Sequence, residues 1–203
     1  MCHLDVGSVA ECVSAAAAVV TAGIAYWALV SWRDQVRGGS KHAAAAEILE
    51  AARLTRYHFY DARNAFYAIS EFPAPYRQIT GTRSPTQEAE GWAHVYAARW
   101  NLLDPQIHRL ATLRAKAGAI LSEDCAAALE VMARKARELH NFFQEHIAQL
   151  RAGPNIVAQW PDQDWVKRVV NSVKVMPNNH TDAYSIEFEA TFNALTTLVD
   201  PFI

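Results

Sequence analysis

Residues 12–32 read CVSAAAAVVTAGIAYWALVSW and contain no charged side chain. A helix rises about 1.5 Å per residue, so this stretch makes about 30 Å of helix, the thickness of the hydrocarbon core of a bilayer. The stretch therefore predicts one transmembrane helix. The side chains that we expect to anchor it in the membrane are Val13, Val19, Val20, Ile24, Tyr26, Trp27, Leu29, Val30 and Trp32.

Two other kinds of segment share this composition. A secretory signal peptide needs a basic region before its apolar stretch, and no Lys or Arg precedes Arg33, so the sequence argues against it. An alanine-rich core helix of a soluble bundle is the stronger alternative. A helix that is apolar on all sides is enclosed either by protein or by lipid, and this alternative stays open.

The flanks of the stretch predict its orientation. Arg33, Arg37 and Lys41 lie on its C-terminal side, and no basic residue lies on the other side. Because basic residues concentrate on the cytoplasmic side of membrane helices, we expect the N-terminus outside and the C-terminal part in the cytoplasm. The predicted division is an extracytoplasmic tip with the anchor at 1–36 and a cytoplasmic helical domain at 37–203.

Small side chains recur every four residues along one face of the predicted anchor. Ser14, Ala18 and Ala22 form such a row, which permits close approach of a second helix in lipid. The row makes homo-oligomerisation through this helix a hypothesis.

The first half of the remaining chain shows helical periodicity. Apolar residues recur at helical spacing from Lys41 to about Glu71. Ser84, followed by Pro85 and by Gln87 three positions on, has the pattern of a capping box and predicts a helix start. Pro105 lies within that second helix and is expected to kink or split it.

The second half continues the same pattern. A long helix is predicted after Ser122 and ends at Gly153, a short helix is predicted at 166–173, and Thr181 or Asp182 can cap a last helix. The chain as a whole is predicted to be all-α, with a single N-terminal transmembrane helix followed by an antiparallel bundle of about four helices.

The sequence offers little catalytic chemistry. No HExxH, P-loop, GxSxG or Glu-x-x-His motif occurs, and we expect no enzyme activity and no cofactor. His140 and His146 are weak candidates for a metal site, although six residues separate them by about 9 Å along a helix. From Arg33 onward 19 basic residues balance 19 acidic ones, so the chain lacks the basic surface that nucleic-acid binding requires.

Three segments carry a resemblance to a protein group. They are SWRDQVRGG after the anchor, AARLTRYHFYDARNAF, and the ending LTTLVDPFI. With them, the chain resembles small uncharacterised bacterial proteins that have one N-terminal transmembrane helix and long helices after it. The resemblance implies a bacterial inner membrane and a helical fold, and no activity. The Gly38–Gly39 pair departs from that pattern and leaves the continuity of the anchor helix open.

These observations lead to three functional hypotheses. The first is a membrane-tethered, non-enzymatic interaction or scaffold module with the lipid bilayer and an unknown cytoplasmic protein as partners. The second is a membrane-active effector or pore-forming subunit that oligomerises through the anchor. A hydrolase that uses His140 or His146 comes third.

Overall fold

A computed structural model describes residues 6–153, 163–174 and 181–203, with side chains from Ser14 onward apart from that of Gln163. This part of the chain is helical and contains no β-strand, which confirms the all-α prediction. The helices are α1 (Val6–Arg63), α2 (Ala74–Arg77), α3 (Pro85–Ile120), α4 (Glu123–Ala152), α5 (Gln163–Val173) and α6 (Ala183–Val199). Two 3-10 turns, Ile69–Glu71 and Asp200–Phe202, complete it.

The chain divides into two compact units, Met1–Ala43 and Ala44–Ile203. The first unit consists of the N-terminal part of α1. Gly38 and Gly39 lie inside this helix, so they do not interrupt it. Each glycine costs a helix interior about 1 kcal/mol relative to alanine, which a helix of 58 residues tolerates.

Helix α1 ends at Arg63, eight residues before the predicted end at Glu71. One nearby and one distant side chain compete with the helix for its backbone groups there. The side-chain oxygen of Asn64 accepts a hydrogen bond from the Phe66 amide at 2.9 Å, a turn that replaces the next helical hydrogen bond. The guanidinium of Arg99 donates hydrogen bonds to the carbonyl oxygens of Asn64 and Phe66, at 2.7 and 2.9 Å.

Helix α3 begins where the sequence predicts and continues past its proline. The Ser84 hydroxyl accepts from the Gln87 amide, and the Gln87 side chain accepts from the Ser84 amide, so the capping box is formed. Pro105 lies inside α3, so of the predicted kink or split the split does not occur. Its neighbours Leu103 and Ile107 are buried in the core, and their packing maintains the helix across the missing hydrogen bond.

The core of the second unit is apolar and rich in stacked rings. Tyr96 on α3 stacks on Phe143 on α4 at 4.2 Å between ring centroids, and Phe59 on α1 stacks on Phe188 on α6 at 3.7 Å. Cys125 is a free thiol buried in the same core, as expected for a small apolar side chain. One continuous core therefore joins all four long helices of this unit.

The other predicted boundaries are also present. Ser122 caps α4 by accepting from the Cys125 amide, and Gly153 follows the last residue of that helix. The predicted short helix is α5. Of the two candidate caps for the last helix, Asp182 fills the position and accepts from the Ser185 amide at 3.0 Å.

Candidate functional site

The apolar stretch of α1 is uncovered in this structure. Every residue from Ser14 to Val30 is exposed, and so is Trp32. Eight of the nine predicted anchor side chains belong to the exposed large apolar residues: Val19, Val20, Ile24, Tyr26, Trp27, Leu29, Val30 and Trp32. Val13 lies in α1, but its side chain is outside the described part.

Such an exposed surface carries a large free-energy cost in water. Burying one side chain of this size is worth about 1.5–3 kcal/mol, so burying eight is worth about 12–24 kcal/mol, which is as large as the net stability of a typical domain. Contiguous apolar surface of this extent marks a binding surface for lipid or protein. By length and composition, α1 is the one helix in the described residues that is able to cross a membrane.

The predicted interface and pairing residues lie on the same helix. Arg33, Arg37 and Lys41 follow the apolar stretch and are all exposed. The small-residue row, Ser14, Ala18 and Ala22, is exposed as well.

The two candidate metal-binding histidines have different environments. His146 is 4% exposed, and its Nδ1 lies 2.8 Å from the hydroxyl of Tyr96. Burial, and next to it the charge of Lys174, lowers the pKa of His146 to about 4, so the ring is neutral at physiological pH. Lys174 in turn lies 4.2 Å from the ring centroid of Trp92. The Tyr96 hydroxyl therefore satisfies the Nδ1 atom of the buried His146 ring, and that nitrogen is not available to bind a metal.

His140 lies on the partly exposed side of the same helix. Its ring packs against that of Trp100 on α3, 4.7 Å between centroids, and its Nε2 is 3.4 Å from the Gln144 amide nitrogen. The two histidines therefore contact different residues of α3. Within the described ranges, no three His, Cys, Asp or Glu side chains come together as a metal site.

A groove of about 410 Å³ runs between α3 and α4 beside His140. Alanines leave the space open and aromatic rings form its walls. The residues lining it are Ala93, Tyr96, Ala97, Trp100, Asn101, His140, Phe143, Gln144, Ile147, Ala148 and Arg151. None of these lining residues is acidic, so the groove combines an apolar floor with the positive charge of Arg151.

Arg63 is the largest fully buried polar side chain, and the sequence did not indicate it. Its guanidinium donates to the Ser172 carbonyl, to the Ser185 hydroxyl at 2.8 Å and to the Asp182 carboxylate at 2.8 Å. Burial acts to raise the pKa of Asp182, but the Ser185 hydrogen bonds and the Arg63 charge together hold it below its usual value. This cluster joins the end of α1 to α5 and α6.

Arg99 forms a second buried cluster that the sequence did not indicate. Besides the two carbonyls after α1, it binds both oxygens of the Glu71 carboxylate, at 2.9 and 3.2 Å. Its guanidinium lies 4.3 Å from the centroid of the Tyr67 ring. Arg99 therefore holds the connection between α1 and α2 against α3, a positioning role with no reacting group beside it.

Comparison with known proteins gives no relative, since no family model, no curated protein and no solved structure matches the chain.

Proposed function

We propose that this protein is a membrane-tethered, non-enzymatic helical module that binds a cytoplasmic protein. The observation that carries the proposal is the exposed apolar stretch from Ser14 to Val30, which is charge-free and long enough to cross a bilayer. Lipid covers all sides of such a helix at once, as its all-round apolar character requires.

The finer architecture in this proposal is an antiparallel bundle of α1, α3, α4 and α6. For each of three helix pairs, two contacts at different heights support opposite chain directions. On α3 and α4, Tyr96 meets His146 while Arg114 meets Glu130, so the contacts advance in opposite directions.

The contacts between α1 and α6 also advance in opposite directions along the two helices. Arg56 pairs with Glu189 at 2.7 Å, and Arg63 pairs with Asp182 further toward the start of α6. On α1 and α3, Arg109 pairs with Glu50, whereas Arg99 binds the carbonyl of Asn64. The directions of these three pairs support an up-and-down bundle.

The proposed location is a bacterial inner membrane with the C-terminal domain in the cytoplasm. Arg33, Arg37 and Lys41 support this orientation, because positive charge is retained on the cytoplasmic side. The bacterial assignment rests on the resemblance of the three sequence segments described above.

The groove between α3 and α4 is our candidate for the partner-binding surface. Its aromatic walls offer area for an apolar side chain, and Arg151 offers a charge-assisted contact to an adjacent acidic group. A photo-crosslinking amino acid at Ala97 should give an adduct with a cytoplasmic protein in cells. The same amino acid at Ala46, an exposed position on α1, is the matched control. Equal adducts from both positions would reject the groove as the binding surface.

The anchor is tested by fractionation. Membranes from cells that express the full chain are washed with carbonate, and Cys2 is labelled from outside intact spheroplasts in a Cys12→Ser background. The other cysteine, Cys125, is buried. We expect the wild-type chain to stay in the washed membrane and Cys2 to be labelled.

Charged substitutions make the same test specific. Each central Lys costs about 2.5–3.5 kcal/mol on insertion scales, so Val20→Lys with Ile24→Lys should release the chain from the membrane. Leu102→Lys with Ile186→Lys changes two exposed apolar residues of the domain and should leave it bound. A wild-type chain found in the soluble fraction would support residues 12–32 as a core helix instead, within an oligomer.

The second candidate function is a membrane-active effector that oligomerises through its anchor. The exposed row of Ser14, Ala18 and Ala22 favours it. Ala18→Leu or Ala22→Leu should then abolish self-association and membrane activity together, whereas Ala16→Leu, on another face of the helix, should not.

For the hydrolase hypothesis, unchanged function of the His140→Ala, His146→Ala double variant is the outcome that rejects it.

A further inference from the structure

Three basic side chains form one row on α1 directly after the apolar stretch. Arg33, Arg37 and Lys41 are four residues apart, and α1 continues through Gly38 and Gly39, so the three share one side of the helix. The row spans about 12 Å along the axis and about 80° around it. We propose that this row binds the headgroups of anionic phospholipids, an inference that rests on the proposed membrane anchor.

The distribution of charge makes the row the chain's attractive element for an anionic surface. Residues 44–203 carry 16 Lys and Arg against 18 Asp and Glu, so their net charge is negative. Between residues 12 and 43 the only acidic residue is Asp34, which leaves this segment with two net positive charges. The preference for anionic lipid therefore depends on three side chains.

The position of the row fits the depth of the headgroup layer. Arg33 follows immediately after Trp32, whose ring is 61% exposed and suited to the boundary between lipid and water. Long basic side chains extend along the helix toward such a boundary. At physiological salt a charge acts over about 8 Å, so Lys41, about 12 Å beyond Arg33 along the axis, reaches this range by extending its side chain back toward the surface.

Lipid selectivity is measurable with the tryptophans of the anchor. The full chain is reconstituted into vesicles of phosphatidylcholine and phosphatidylglycerol in equal proportion, with bromine on the acyl chains of one lipid at a time. Bromine quenches tryptophan inside the bilayer, so Trp27 and Trp32 report the identity of their lipid neighbours. A Trp27→Phe, Trp32→Phe variant supplies the background from the domain.

We expect brominated phosphatidylglycerol to quench more strongly than brominated phosphatidylcholine. One basic group near an anionic surface is worth about a fivefold preference, so the wild-type chain should favour the anionic lipid by about fivefold or more. The triple variant Arg33→Gln, Arg37→Gln, Lys41→Gln should bring the ratio of quenching by the anionic lipid to quenching by phosphatidylcholine to about 1. Measurement of the wild-type chain in 1 M salt should have the same effect. Asp34→Asn should raise the ratio.

The matched control removes three charges elsewhere. Arg53→Gln, Arg77→Gln and Arg134→Gln change three exposed arginines of the domain and should keep the wild-type ratio. Strong quenching by both lipids with a wild-type ratio near 1 would overturn the headgroup proposal and leave the anchor intact. Absence of quenching by either lipid would overturn the anchor and the headgroup proposal together.

Discussion

The hydroxyl of Tyr96 on α3 lies 2.8 Å from Nδ1 of His146 on α4, inside the core of the second unit. Burial raises the pKa of Tyr96, so the phenol keeps its proton, and burial lowers that of His146, so the ring stays neutral. A neutral donor and a neutral acceptor therefore meet in the apolar interior, which is the combination that burial permits at least cost.

Acid should weaken this pair before it affects most carboxylates. The folded pKa of His146 is about 4 against the usual 6.5, so the folded state binds fewer protons than the unfolded state between those values. Stability is then unaffected above about pH 6.5 and falls as the pH drops toward 4, by roughly 3 kcal/mol in total. Urea unfolding of the full chain in detergent at pH 7, 5.5 and 4.5 measures this loss.

The control for this prediction removes the titrating group. His146→Gln keeps an acceptor for the Tyr96 hydroxyl and should lose clearly less stability than the wild type over the same range. If both proteins lose the same free energy between pH 7 and 4.5, His146 is not the group responsible.

Arg63 should be among the most sensitive positions of the domain. Replacing it by Met removes the partner of Asp182 and leaves the Ser172 carbonyl without its donor. Breaking a buried pair from one side typically costs about 3–5 kcal/mol, and a loss of this size is expected in urea unfolding. Arg53→Met, at an exposed position on the same helix, should change stability by less than about 0.5 kcal/mol. Similar losses in both variants would contradict the structural role of the Arg63 cluster.

Two glycine-to-alanine substitutions should have opposite signs. A Cβ at Gly91 would collide with the ring of Tyr76, which packs against the backbone of α3 at this point. Gly91→Ala should therefore destabilise the domain by about 1–3 kcal/mol. A Cβ at Gly38 meets nothing within 4 Å, so Gly38→Ala should stabilise α1 by about 0.5–1 kcal/mol. Thermal unfolding of each variant and of the wild type measures the sign of both stability changes. Destabilisation by Gly38→Ala would argue against a helical backbone at that position.

Arg99 should control the order of the segment that follows α1. Arg99→Lys retains the charge but lacks the planar set of donors that reaches Asn64, Phe66 and Glu71. We expect faster amide hydrogen exchange in residues 64–72, while α4 exchanges as in the wild type. Unchanged exchange in this segment would show that Arg99 is dispensable for its position.

Local signals in the sequence predicted the helix ends that depend on nearby residues. The capping box at Ser84 and the caps at Ser122 and Asp182 involve partners three positions away, and the structure contains all three. The predicted long helix after Ser122 is likewise present as α4, which ends just before Gly153.

Features that depend on distant residues were predicted poorly. Arg63 has the pattern of a solvated arginine, because its partners lie 109 to 122 positions further along the chain. The expected extension of α1 to Glu71 was wrong partly for the same reason, since Arg99 on α3 binds the carbonyls of Asn64 and Phe66. His140 and His146 look equivalent in sequence, yet one lies in the core and one beside a groove.

The placement of the partners of α1 has a consequence for how the chain matures during synthesis. Arg63 emerges from the ribosome 119 residues before Asp182, and Arg99 emerges 35 residues after Asn64. Arg63 therefore lacks its counter-ion while the next 119 residues of the chain are synthesised. A chain arrested before residue 182 would leave Arg63 without its counter-ion and Phe59 without the Phe188 ring. Truncated products of this protein should therefore be efficient substrates for proteolytic quality control.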